Sequence, residues 1–212
     1  MPTQAGSLFR AELRPEYVVL IDDGISPAGL SIASGTGLFE LSLTPGAPLM
    51  TYEITFENLD LEDITGVHFH FGHAPLLTSY VALLRQEGED LGPLYHEGAD
   101  GPNGPHLLNV FGAPREDDAN LVVDFENNRI SGRWDNLDMN FGPDGVRDAG
   151  DSVAIGSVIG EILAEEVYVQ VHTNAFPAPN TGEIRGQIVA VPETGGLLFL
   201  LLGFLGIFRR SR

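Results

Sequence analysis

The sequence contains no cysteine and no lysine, and positive charge of any kind is scarce. Without thiols, no disulfide can brace the fold, and both thiolate catalysis and cysteine-ligated metal are excluded. Eleven arginines face 30 acidic residues, for a net charge of −19. That excess repels phosphate backbones and excludes nucleic acid as a partner. A charged n-region and an apolar h-region are likewise lacking between Met1 and Arg14. The expectation is therefore a start further upstream, or export by another route. No Ser-His-Asp pattern, nucleotide loop or paired-carboxylate pattern stands out, so the sequence argues for no catalytic residues and no enzyme.

Long helical runs are absent because 26 glycines and 14 prolines interrupt the chain every few residues. Hydrophobic residues at 43% and charged residues at 19% still describe a chain that folds. Its 212 residues suit one domain with appendages. Met50 to Asn58 places Tyr52, Ile54 and Phe56 on one face and Glu53, Thr55 and Glu57 on the other, the two-residue period of a half-buried strand. Leu38 to Leu43 alternates in the same way. Further strands are expected at 17–21, 67–71, 107–111, 121–125, 130–134, 167–172 and 183–189, with a short helix at 152–164. The fold class these predict is all-β, a Greek-key β-sandwich or barrel with one short helix, plus a C-terminal hydrophobic helix. The segments 94–105 and 136–151 read as surface loops.

The end of the chain has a different composition. Gly195 to Phe208 carries no charge, and Arg209, Arg210 and Arg212 follow at once. As a helix rising about 1.5 Å per residue it reaches about 21 Å, short of a hydrocarbon core of about 30 Å. It predicts a marginal membrane helix, locked by cytoplasmic arginines, with the acidic body outside. The division expected is residues 1–7 as an N-terminal extension, 8–190 as the β-domain and 191–212 as a sorting tail.

Val191, Pro192, Glu193, Thr194 and Gly195, the apolar run and the terminal arginines together resemble the bacterial PEP-CTERM sorting signal, with Thr194 where that signal has a second proline. The same five residues also approach a Leu-Pro-X-Thr-Gly sortase signal, with Val191 in place of leucine. Either resemblance implies a membrane-bound transpeptidase partner, exosortase or sortase, and delivery to the cell surface or its exopolysaccharide.

Three blocks of the body, in order, resemble the CHRD (chordin) domain. The first is the glycine-bearing strand at 33–43 with the tyrosine-bearing strand at 49–59; the second is Ile64-Thr-Gly-Val-His-Phe-His70. The third is Val169-Gln-Val-His-Thr173 with Thr181-Gly-Glu-Ile-Arg-Gly-Gln-Ile188, in which Thr173, Gly182, Glu183, Arg185 and Gly186 form the structural motif. CHRD domains occur in extracellular chordin proteins and bacterial surface proteins, so the resemblance implies an exported binding or structural module, engaging exopolysaccharide or surface proteins, with no general catalytic activity.

His68 and His70 stand two apart in an expected strand, so their rings project from one face about 7 Å apart along the chain. His106 after a Gly-Pro-Asn-Gly-Pro loop and His172 on a late strand complete a candidate set, with His73 and His96 as weaker loop candidates. Four imidazoles without thiolate suit Zn²⁺ or Cu²⁺. By analogy, the arrangement is similar to that of copper–zinc superoxide dismutase. The alternative is that these histidines are satisfied by backbone or carboxylate hydrogen bonds. Glu183 and Arg185, also two apart, predict an internal ion pair or an arginine-to-carbonyl clamp on the 172–179 loop. The acidic run 135–144 offers oxygen ligands for calcium but departs from EF-hand spacing.

Overall fold

The computed structural model describes residues 6–18, 27, 29–72, 106–112, 116–140, 151–176 and 182–192. Among them, ten strands form two antiparallel sheets. The larger sheet has the order β10-β1-β2-β3-β7-β6, built from β1 (Ser7–Leu13), β2 (Ser34–Ser42), β3 (Leu49–Glu57), β6 (Val122–Asp124), β7 (Arg129–Trp134) and β10 (Val189–Ala190). The smaller has the order β5-β4-β8-β9, from β4 (Ile64–Phe71), β5 (His106–Gly112), β8 (Val167–Thr173) and β9 (Ile184–Gln187).

Strict alternation builds the larger sheet. Phe9, Ala11 and Leu13 on β1, Phe39 and Leu41 on β2, and Met50, Tyr52, Ile54 and Phe56 on β3 are buried, while Glu40 and Thr51 between them are exposed. Pairing keeps like faces together: Phe39 lies opposite Tyr52, and Ile54 opposite Ile130. From the smaller sheet, Val67, Phe69, Val167, Val169, Val171 and Ile184 enter the same core. Phe69 sits edge-on to Phe39 and Tyr52, with ring centroids 5.9 and 5.4 Å apart. The Trp134 indole N–H donates to Val153 O at 2.8 Å, satisfying a polar group that burial would otherwise penalise.

The sheets are stitched along one side. β9 pairs with β8 in the smaller sheet, and two residues later β10 pairs with β1 in the larger. Arg14 and Arg185 exchange backbone hydrogen bonds of 2.9 and 3.1 Å across the same seam. A Cβ on Gly186 would stand 2.4 Å from Glu12 O, so the seam closes only because that residue is glycine. The architecture is a sandwich closed on one side.

Several local expectations differ from what is observed. β1 was not among the expected strands, although Phe9, Ala11 and Leu13 alternate clearly. The strand expected at 17–21 begins instead as a 3-10 turn at Pro15–Tyr17, because proline pre-sets the helical φ and supplies no N–H; residues 19–21 lie outside the described part. The helix expected at 152–164 is only a 3-10 turn, Ile155–Ser157, followed by α1 (Ile159–Leu163). Gly156, Gly160 and the β-branched Val153, Ile155, Val158 and Ile159 give little helical propensity. Val191 still belongs to the β-body, donating its N–H to Leu8 O at 2.9 Å.

Among the described residues no helix is long and apolar enough to cross a membrane. The expected C-terminal hydrophobic helix, the remainder of the sorting motif (Glu193, Thr194, Gly195) and Arg209, Arg210 and Arg212 lie outside them, as do His73, His96 and the expected loop at 94–105.

Candidate metal centre

With Val67 and Phe69 pointing into the sandwich, the two-residue period turns His68 and His70 to the other face of β4. That face is not a solvated one. His68 is 1% exposed and His70 0%, and every residue of β8 is buried on both faces. The strand register brings the remaining polar groups alongside: His68 lies opposite Gln170 and His70 opposite Tyr168 on β8, and Gln170 lies opposite Arg185 on β9.

On the other flank, β4 pairs with β5 through two register shifts, which set His106 opposite His70 and Asn109 opposite His68. In an unbroken strand, residues three apart face opposite ways; the irregular pairing puts both beside the β4 histidines. The ring centroids of His68 and His106 are 4.6 Å apart, and those of His70 and His106 are 4.2 Å apart. One ligating nitrogen from each of His68, His70 and His106 lies within 4.8 Å of the other two. Small side-chain rotations would place all three on one ion at about 2.0–2.1 Å. His172 is a neighbour rather than a member: its ring centroid is 5.2 Å from that of His68, and the three-nitrogen group does not include it.

The surroundings orient these rings. Asp117 accepts from Asn109 Nδ2 at 2.8 Å and from Ser152 Oγ at 2.6 Å. A carboxylate only accepts, so the Asn109 amide N–H points to Asp117 and its carbonyl oxygen to His106, whose Nδ1 is 3.1 Å away. His106 Nδ1 therefore carries a proton, and in the neutral ring Nε2 keeps the lone pair that a metal needs. His70 stacks on Tyr168 at 5.1 Å with ring planes 8° apart, and the Arg185 guanidinium lies over the opposite partner of that stack, 4.6 Å from the Tyr168 centroid. Burial first, then the neighbouring His68, His106 and Arg185, hold His172 well below the ordinary imidazole value, so its ring is neutral near pH 7. Neutral imidazole is the ligating form.

Of the two arrangements expected of Glu183 and Arg185, the ion pair is replaced by hydroxyl contacts of Glu183, and residues 177–179 of the loop expected to take the arginine clamp lie outside the described part. Glu183 accepts from Ser31 Oγ at 2.5 Å and from Thr173 Oγ1 at 2.6 Å, tying β8 and β9 to the segment before β2. Arg185 donates to the Gln170 side-chain carbonyl. Gly182, with φ +77°, makes the turn into β9. In the acidic segment considered for calcium, Asp138 accepts from Asp135 N at 2.6 Å and Asp135 from Leu137 N at 2.7 Å, so these carboxylates cap their own turn; residues 141–144 lie outside the described part.

Sequence reasoning missed Asn109, Asp117, Ser152, Tyr168 and Gln170. Nothing in their spacing announces them, because the register shifts and the cross-strand pairing that join them to the histidines are tertiary features.

A family model for the CHRD domain matches residues 9–188, nearly the whole β-body. The chain belongs to the CHRD family. No curated protein and no solved structure matches it. The match runs from β1 to the residue between β9 and β10, so all four candidate histidines and the seam glycine fall inside the CHRD domain.

Proposed function

We propose that the protein is an exported, cell-surface or extracellular-matrix CHRD module that binds rather than catalyses, and that its domain carries a transition-metal centre, Zn²⁺ or Cu²⁺, on His68, His70 and His106. The observation that carries the metal reading is the approach of three imidazole nitrogens, from the buried His68 and His70 and the half-buried His106, to within 4.8 Å of one another, with the His106 tautomer fixed by Asn109 and Asp117. Buried imidazoles that merely satisfied backbone groups would gain nothing from clustering. Membership of a family found in extracellular proteins, the acidic surface and the apolar, arginine-stopped tail support the address, with an exosortase or sortase as processing partner and exopolysaccharide or surface proteins as the targets of binding.

Metal analysis tests the first part. Full-length protein exposed to Zn²⁺ or Cu²⁺ and desalted is expected to retain one ion per chain, and His68→Ala or His106→Ala to retain none; an empty wild-type protein would refute the centre. Fractionation of cells expressing the gene tests the second. Recovery with the surface or matrix fraction is expected, whereas a cytosolic pool would refute export.

A further inference from the structure

The hydrogen bonds around Gln170 decide what His172 does at this centre. Gln170 Oε1 accepts from Arg185 Nη2, and Gln170 Nε2 stands 3.2 Å from His172 Nε2. A guanidinium has donors only, so the carbonyl end of Gln170 must face Arg185 and its NH₂ must face His172. Two donors cannot share one hydrogen bond. His172 Nε2 is therefore the acceptor, and the proton of the neutral ring sits on Nδ1. That Nδ1–H belongs to a residue only 2% exposed and has no hydrogen-bond partner among the described residues. Buried donors without partners are rare in folded proteins because desolvation leaves them uncompensated.

Ligation through Nδ1 would require moving its proton to Nε2, which would turn Nε2–H against the Gln170 NH₂. Reversing the amide to relieve that clash would aim NH₂ at Arg185. The Arg185–Gln170–His172 relay thus makes His172 a donor and removes it from the ligand set.

Resting on the metal reading above, we propose that, among the described residues, His68, His70 and His106 are the imidazole ligands and that His172 donates its Nδ1–H to a water or small anion filling the ion's remaining position. A divalent ion on neutral imidazoles, with the Arg185 cation in the same buried layer, favours an anion over a neutral ligand there. The site is then an open one, built to take a small exogenous oxygen or nitrogen donor, in contrast to a closed four-ligand structural site.

Copper and azide test this on the full chain. Wild-type protein loaded with Cu²⁺ alone is expected to show three strongly coupled imidazole nitrogens by electron paramagnetic resonance and to bind one azide, read from its charge-transfer absorption. His172→Phe is expected to keep one copper and three nitrogens while azide affinity falls roughly 10- to 100-fold, the range for a lost hydrogen bond to a charged group. Gln170→Glu keeps the histidine but presents a second acceptor, which draws the proton to Nε2; azide affinity is expected to fall similarly while copper stays bound. Failure of the wild type to bind copper would remove the metal reading itself. Four coupled nitrogens in the wild type, or azide affinity unchanged in both variants, would overturn the donor assignment and leave the metal centre standing.

Discussion

The outer faces of the two sheets carry the same kinds of residue in opposite circumstances. On the larger sheet, Glu40, Thr51, Glu53 and Arg129 stand in or near water, and Arg129 makes 3.0 and 2.9 Å ion pairs to Glu53 and Asp124 while remaining 37% exposed. On the smaller sheet, His68, His70, Gln170, His172 and Arg185 are all at most 2% exposed. Alternating polarity on the first is the ordinary signature of a solvated face. On the second it marks a buried polar layer, where every group must find a partner and unusual chemistry can be sustained.

Two arginines give the sharpest contrast. Arg185→Ala leaves the buried Gln170 carbonyl without its charged donor and Tyr168 without its cation, and is expected to cost about 1.5–3 kcal/mol, measured by urea unfolding; a cost under about 1 kcal/mol would mean that the outer face of the smaller sheet is effectively solvated. Next in size, Asn109→Ala frees His106 from its fixed tautomer without removing a ligand. It is expected to weaken metal binding about 10- to 100-fold in a competition titration, whereas Thr51→Ala on the other sheet should not change it.

Burial rather than the sheet face alone sets the third effect. Asp138, 3% exposed, has its carboxyl raised to about 6, chiefly by desolvation, with the nearby Asp118 and Asp135 charges adding to the rise. Its folded-state value exceeds the unfolded 3.8, so the folded state holds the proton more tightly. Its contribution to stability is greatest below about pH 4 and is lost as pH rises through about 6. Asp138→Asn is expected to flatten that slope in melting curves across this window. The smallest effect is expected from Arg129→Ala, whose exposed ion pairs contribute about 0.2–1 kcal/mol each and less at high salt. A larger loss would place the outer face of the larger sheet in the same class as that of the smaller.

Much of the fold was legible because period-two alternation needs no tertiary information. Tyr52, Ile54 and Phe56 read as one buried face and form one. β1 is equally legible in Phe9, Ala11 and Leu13, which alternate with the polar Arg10 and Glu12. The stretch from Ser152 to Ala164 read as a longer helix than it is, since its glycines and β-branched residues limit α1 to Ile159–Leu163. In the candidate site, the projection of His68 and His70 from one face followed from their spacing. That the face is buried did not.

What the sequence determined by itself is the local pattern: strands in which polar and apolar residues alternate, glycine at the seam, and two histidines on one side of β4. These follow from backbone geometry, which any stretch of chain carries with it. Tertiary structure alone decided that His106 would meet that pair while His172 would stand beside it with its proton on Nδ1. Both outcomes depend on register shifts between β4 and β5 and on the pairing of β8 with β9, and pairing between strands far apart in sequence is fixed only when the whole core has assembled.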